Sequence, residues 1–104
     1  MAIVHTVVFR LIHEPGSDAE TEFLDTAQST LTSIPGVEHF TISRQVSLKS
    51  ELTWLFSMVF ADQIGHDAYN AHPAHLGFVE GRWVPEVAEF QKYDFEAALA
   101  ERQP

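Results

Sequence analysis

Two segments of this chain carry apolar side chains on both faces of what reads as a β-strand. From Ile3 to Leu11, Ile3, His5, Val7, Phe9 and Leu11 alternate with Val4, Thr6, Val8 and Arg10. From Thr53 to Ala61, Trp54, Phe56, Met58 and Phe60 alternate with Leu55, Ser57, Val59 and Ala61. Both runs are rich in β-branched and aromatic residues, the composition of strands. Helices cover one face of a small antiparallel sheet, and a face left to water shows polar alternation. Here neither face does. The second face must therefore pack on something, and the symmetric solution is the same sheet of another copy. A homodimer built by sheet-to-sheet packing is expected.

The remaining elements follow from punctuation and periodicity. Pro15-Gly16 marks a turn after the first strand, with Ser17 or Asp18 placed to cap a helix. Phe23, Ala27, Leu31 and Ile34 recur at helical spacing, which predicts an amphipathic helix over about 18–33. Pro35-Gly36 stops it, and a second strand is expected over 37–46. Asp62 can cap a short helix that runs through Ala71. A further helical segment is expected over 73–90, bent near Pro85 and weakened by Gly77 and Gly81. A last strand over 91–96 and a helical or frayed tail from Ala97 complete the chain. The order is β-α-β-β-α-β, the ferredoxin-like arrangement of an α+β fold with a four-stranded antiparallel sheet. At 104 residues, 1–104 forms a single domain.

Charge and composition exclude several partner classes. Fifteen acidic residues against six Lys and Arg give a formal net charge of −9, and no basic cluster interrupts it. Such a surface repels phosphate backbones, so nucleic acid and anionic membranes are not expected partners. No apolar run approaches the roughly 20 residues that cross a bilayer. The first residues lack the basic start of a secretory signal, so a cytoplasmic location is expected. Without cysteine there is no disulfide, thiol nucleophile or thiolate metal site.

Chemistry concentrates in Tyr69-Asn70-Ala71-His72-Pro73-Ala74-His75-Leu76-Gly77-Phe78. A phenol and two imidazoles fall within seven residues. Pro73 cannot continue the preceding helix but suits the first turn of a new one. The segment reads as a bend between two short helices, where Tyr69 and His75 can face a common space. The plain alternative is a helix junction whose polar groups only satisfy backbone. His72, across Pro73 from His75, reads as a cap or surface residue. His66, His72 and His75 lack the i,i+4 spacing and following acidic ligand of a zinc helix, so no metal is expected.

The sequence resembles the stress-responsive dimeric α/β-barrel (Dabb) domain family. The resemblance is carried by His5-Thr6-Val7-Val8-Phe9-Arg10, Ile34-Pro35-Gly36-Val37, Ala68 to His75, and the final Tyr93-Asp94-Phe95, in that order over about 90 residues. It implies a ferredoxin-like fold whose sheets pair about a twofold axis into a dimeric α/β barrel. Stress-induced members of the family are known mainly as stable oligomers. One member type, the plant olivetolic acid cyclase, closes a linear polyketide by aldol condensation without a cofactor. Its functional histidine, tyrosine and histidine correspond to His5, Tyr69 and His75.

These residues suit proton transfer. His5, mid-strand among apolar neighbours, is expected to be buried and neutral. It either bridges the strand to the helix of Tyr69 or orients a ligand. A neutral His75 can take the acidic proton between two carbonyls, while Tyr69 donates to the oxygen that becomes negative. Val7, Phe9, Phe78, Val79 and Trp83 are expected to wall a pocket for a small hydrophobic carbonyl compound, with no cofactor and no metal. A non-catalytic stress-associated homodimer is the alternative, and a cofactor-free monooxygenase-like barrel a third.

The two-faced strands carry a prediction of their own. In solution the chain should be a homodimer that buries at least about 1,200 Å² between its sheets. Light scattering at micromolar concentration should give twice the 11.7 kDa chain mass; a monomer, or a dimer joined through the first helix, would contradict it.

Overall fold

The computed structural model describes residues 1–98. Strand β1 (Ile3–Leu11), helix α1 (Asp18–Thr32), strands β2 (Glu38–Arg44) and β3 (Trp54–Phe60), helices α2 (Gln63–Ala71) and α3 (Pro73–Phe78), a π-helical turn (Val79–Trp83), the single turn α4 (Val84–Glu86) and strand β4 (Val87–Phe95) follow in order. The sheet is antiparallel in the order β2-β3-β1-β4. This is the expected ferredoxin-like topology.

Helix α1 starts at a Ser-x-x-Glu cap that resembles a capping box, with the carboxylate reaching one residue further back. The Ser17 hydroxyl accepts from the Glu20 amide at 3.2 Å, and the Glu20 carboxylate accepts from the Gly16 amide at 2.9 Å. The same carboxylate accepts from the Trp54 indole N–H at 3.2 Å, so this buried acid also ties the helix to β3. Phe23, Ala27 and Leu31 form the stripe that α1 turns to the sheet. They meet the inward row of β1 and β3, where Phe9, Phe56, Met58 and Phe60 are almost wholly buried. Phe9 packs edge-on to Phe56 at 4.6 Å between ring centres, an arrangement favoured by the aromatic quadrupoles.

The last third of the chain departs from expectation. Helical structure ends at Glu86 rather than near Phe90, and β4 begins at Val87 rather than Gln91. The cause is pairing with β1: Glu89 lies opposite Arg10, and Phe90 opposite Phe9. Helix propensity is weak here, with two glycines and a proline, and the ladder overrides it. Before Pro85 the backbone widens, and the Val84 amide bonds the Val79 carbonyl five residues back. Pro85 has no N–H to offer the normal ladder, and the wider turn relieves its ring against the preceding carbonyls. The other boundaries shift by one or two residues, with α1, β2 and β3 all shorter than their sequence ranges. Ala97 and Ala98 are not helical, and the tail from Leu99 onward lies outside the described residues.

The outer face of the sheet keeps the apolar character read from the sequence. Val4, Val8, Leu55 and Val59 are only half-buried within one chain. Tyr93 and Phe95, opposite Thr6 and Val4, are exposed. No helix among the described residues is long and apolar enough to cross a membrane.

Phe23 is the test of the inner core, since its ring meets Phe9, Phe78 and Trp83 at 5.6–6.3 Å. Phe23→Ala should destabilise the fold by about 3–5 kcal/mol through lost burial and a residual cavity. Urea unfolding should show this as a lower midpoint with an unchanged slope.

Candidate functional site

Strand β1 turns five side chains inward, and His5 is the one polar member of that row. Its register with β4 places it opposite Asp94. The His5 Nδ1–H donates to Asp94 Oδ1 at 2.5 Å, which leaves Nε2 unprotonated in the neutral ring. Burial disfavours the imidazolium and lowers the His5 pKa, against the pull of Asp94 toward the charged form. Burial would raise the Asp94 pKa, but the His5 hydrogen bond and the charge of Lys92 outweigh it and hold it low. Lys92 Nζ lies 3.3 Å from Asp94 Oδ2.

Helix α2 provides the opposite wall. Asp62 caps it through the Gly65 amide at 2.9 Å, which fixes the helix phase. His66 and Tyr69, three residues apart, then lie on one face and are both buried. Tyr69 sits edge-on to His5 with ring centres 5.7 Å apart. Burial raises the Tyr69 pKa well above the ordinary phenol value, so it remains a hydroxyl donor.

The bend is made by His72 and Pro73. His72 takes extended backbone, as a residue before proline prefers, and its Nδ1 accepts from the Ala74 amide at 3.0 Å to cap α3. Pro73 opens α3, and the change of direction brings the His75 ring to 4.5 Å from Tyr69. The His75 Nδ1–H donates to the Asn70 carbonyl at 3.2 Å. A carbonyl only accepts, so this bond fixes the tautomer and leaves Nε2 as a free base. Burial lowers the His75 pKa, which favours the neutral ring at pH 7.

His5, Tyr69 and His75 thus line one cavity of about 330 Å³ between the sheet and the helices. The volume lies within the range of small-molecule sites. Val7, Phe78, Val79 and Trp83 line it as expected from the sequence. Phe9 does not. It is fully buried beneath Phe56 and Trp83, in the layer that supports the cavity wall. The exposed Val84 and Phe90 stand at the cavity's solvent side.

Several residues of the site escaped the sequence reading. Asp94, Lys92 and Phe90 turn toward the cavity side of β4, a consequence of β1–β4 register that the sequence does not encode locally. Asp94 nevertheless carries a signal, as a lone acid between Tyr93 and Phe95. His66 sits one helical turn before Tyr69, a spacing that implies a shared face. The zinc set weighed from sequence is not brought together among the described residues: His72 turns one nitrogen to its cap and is not gathered with His66 and His75. Instead, among the described residues, one donor atom each of His5, His66 and Asp94 lie within 4.8 Å of one another.

Comparison with known proteins places this geometry among relatives. The sequence profile described as Stress Responsive A/B Barrel Domain matches residues 3–97. The crystal structure of a Dabb family protein with a ferredoxin-like fold from Mesorhizobium loti is 47% identical, covers 92% of this chain and 96% of its own, and superposes with a TM-score of 0.91. A dimeric ferredoxin-like protein of unknown function from Thermobifida fusca is 18% identical over 93% of this chain and 92% of its own, with a TM-score of 0.74. The hydroxynitrile lyase from Passiflora edulis is 11% identical over 99% and 97%, with a TM-score of 0.80. The latter two likenesses are of fold alone. Among curated proteins no match is found.

The His75 environment has a measurable consequence. Its imidazole should titrate below pH 6.5, followed by two-dimensional NMR of the ring. Because the fold disfavours the proton, the unfolded chain takes it up first as the pH falls. The associated stability is therefore present above pH 6.5 and is lost as the pH drops toward the folded-state value. A midpoint at or above 6.5 would contradict the assigned burial.

Proposed function

The chain belongs to the stress responsive A/B barrel (Dabb) domain family, and from that premise we propose that it binds a small hydrophobic carbonyl compound and moves a proton on it. The observation that carries this reading is the pairing of Tyr69 and His75, with ring centres 4.5 Å apart on the wall of an apolar 330 Å³ cavity. His75 Nε2 takes a proton from the carbon beside the carbonyl, and the C–H electron pair becomes an enolate. Tyr69 donates to the enolate oxygen, where the new charge gathers. In a compound with a second carbonyl, that carbon attacks it, a C–C bond forms, and the proton on His75 returns to the resulting alkoxide. This is the aldol step of a polyketide-cyclase-like enzyme, and it needs no cofactor. His5 takes part from the far wall, with Asp94 fixing its tautomer.

The working form in this reading is a homodimer joined through the outer sheet face, where Val4, Val8, Leu55, Val59, Tyr93 and Phe95 lie. The dimeric description of the Thermobifida fusca relative supports it. A cytoplasmic setting suits a chain without cysteine. The second reading is a non-catalytic stress-associated dimer, favoured by the same outer face, which needs a partner whether or not the cavity is used.

Deuterium uptake separates the two without knowledge of the natural substrate. With 2-nonanone in D₂O, NMR should show the protein accelerating exchange at the carbons flanking the carbonyl. His75→Ala should reduce that rate about 10²- to 10⁴-fold, the worth of a general base. Tyr69→Phe should also slow it while keeping the ring. No exchange above buffer, together with no thermal stabilisation by a panel of hydrophobic ketones, would leave the non-catalytic dimer as the better account.

A further inference from the structure

His66 has no place in the chemistry above, yet it is among the most deeply buried polar residues, with 4% exposure. Its ring stacks on Phe60 at 5.1 Å and lies 4.9 Å from the ring of His5. Its Nε2 is buried without a hydrogen-bond partner among the described residues. The nearest acceptor paired with it, Asp94 Oδ1, is 3.9 Å away, beyond a direct hydrogen bond. On the other side, its Nδ1 makes a long hydrogen bond, 3.5 Å, with the Gln63 amide nitrogen, so the open nitrogen is Nε2. A buried nitrogen without a partner is an exception among buried polar groups, and a bound ion is one way to satisfy it.

We propose that His5, His66 and Asp94 form a binding site for one divalent transition-metal cation of the zinc class. Two imidazoles and a carboxylate are a donor set that borderline cations take, and three protein donors leave a position for water or a ligand oxygen. Metal bonds of about 2.0–2.2 Å hold tetrahedral neighbours about 3.4 Å apart. The Asp94 oxygen now stands 2.5 Å from His5 Nδ1 and 3.9 Å from His66 Nε2. Asp94 reaches both separations by shifts of less than about 1 Å, and the imidazole donors, within 4.8 Å of one another, close on the ion by rotation of their rings. Asp94 can make its shifts, since it lies on the edge strand with about a third of its side chain exposed. The cation replaces the proton shared by His5 Nδ1 and Asp94 Oδ1, and that proton passes to solvent. Lys92 does not occupy the donor atom. It lies against Oδ2, the second oxygen, as an outer partner that orients the carboxylate. The net charge of −9 further favours a cation.

The site goes beyond the proposed proton transfer and stands apart from Tyr69 and His75. Because His5 also lines the cavity, the cation would sit at its polar end. The test uses the full chain stripped with EDTA and titrated with Zn²⁺ in a calorimeter. One ion per chain should bind with micromolar or tighter affinity, and Co²⁺ in its place should give the visible absorption of a low-coordinate nitrogen–oxygen site. His66→Phe keeps the stack on Phe60 but removes the donor, and should weaken binding about tenfold or more. Asp94→Asn should do the same, and it serves if His66→Phe fails to fold. His13→Ala, at the separate His13–Glu86 pair, should leave binding unchanged. No Zn²⁺ binding by the wild-type chain, or binding retained by Asp94→Asn and by folded His66→Phe, would overturn the site. Zinc binding without ketone exchange would sink only the proton-transfer reading, and exchange without zinc binding only the metal site.

Discussion

The pairing of β1 with its two neighbours fixes nearly everything else in this molecule. β1 is central, bonded to β3 on one side and β4 on the other, and its alternation decides which residues enter the core. With side chains repeating every two residues, a one-residue slip would send His5 to the outer face and Thr6 inward. The aromatic layer of Phe9, Phe56 and Phe23 resists such a slip, because each ring fills space defined by the others. The geometry of the candidate site is therefore held by hydrophobic packing rather than by its own polar groups.

A second constraint is the bend at Pro73. A continuous helix from Gln63 would place His75 six residues from Tyr69, well round the helix and off its face. The break rotates α3 so that the two rings meet at 4.5 Å. Both ends of the break are satisfied locally, His72 capping α3 while its own amide bonds the Tyr69 carbonyl. His75 lines the cavity and His72 does not, so the two histidines on either side of the proline are placed differently.

Much of this was legible before any coordinates. The strand alternation, the Phe23-Ala27-Leu31 stripe, the Asp62 cap and the proline bend are local patterns, and each found its element in the structure. The boundary of β4 was not legible, because Val87 to Phe90 follows a glycine-rich helical pattern and becomes strand only through β1. Asp94 and Lys92 were hidden for the same reason: their meaning lies in the residues opposite them, across more than 80 positions of chain. Phe9 misled for a subtler cause. It shares a face with His5 and Val7, but Trp83 folds over it, and depth within a face is not a property of alternation.

The inner face also explains how one small cavity holds groups of different character. At one end His75 is bonded to a backbone carbonyl that fixes the tautomer, and burial outweighs the carbonyl's pull toward the charged form. At the other end His5 faces a carboxylate that pulls it toward the charged form, while burial and the neighbouring His66 act against that pull and keep its pKa low. The aromatic wall between them keeps the dielectric low, so the two ends feel each other, and the charge of Lys92 adds to burial in lowering the His75 pKa. The outer face carries the Arg10–Glu89 ion pair at one end and otherwise offers apolar area. A single sheet can thus present apolar area on one side and a lined cavity on the other, because strand alternation lets each set of side chains change without altering the other.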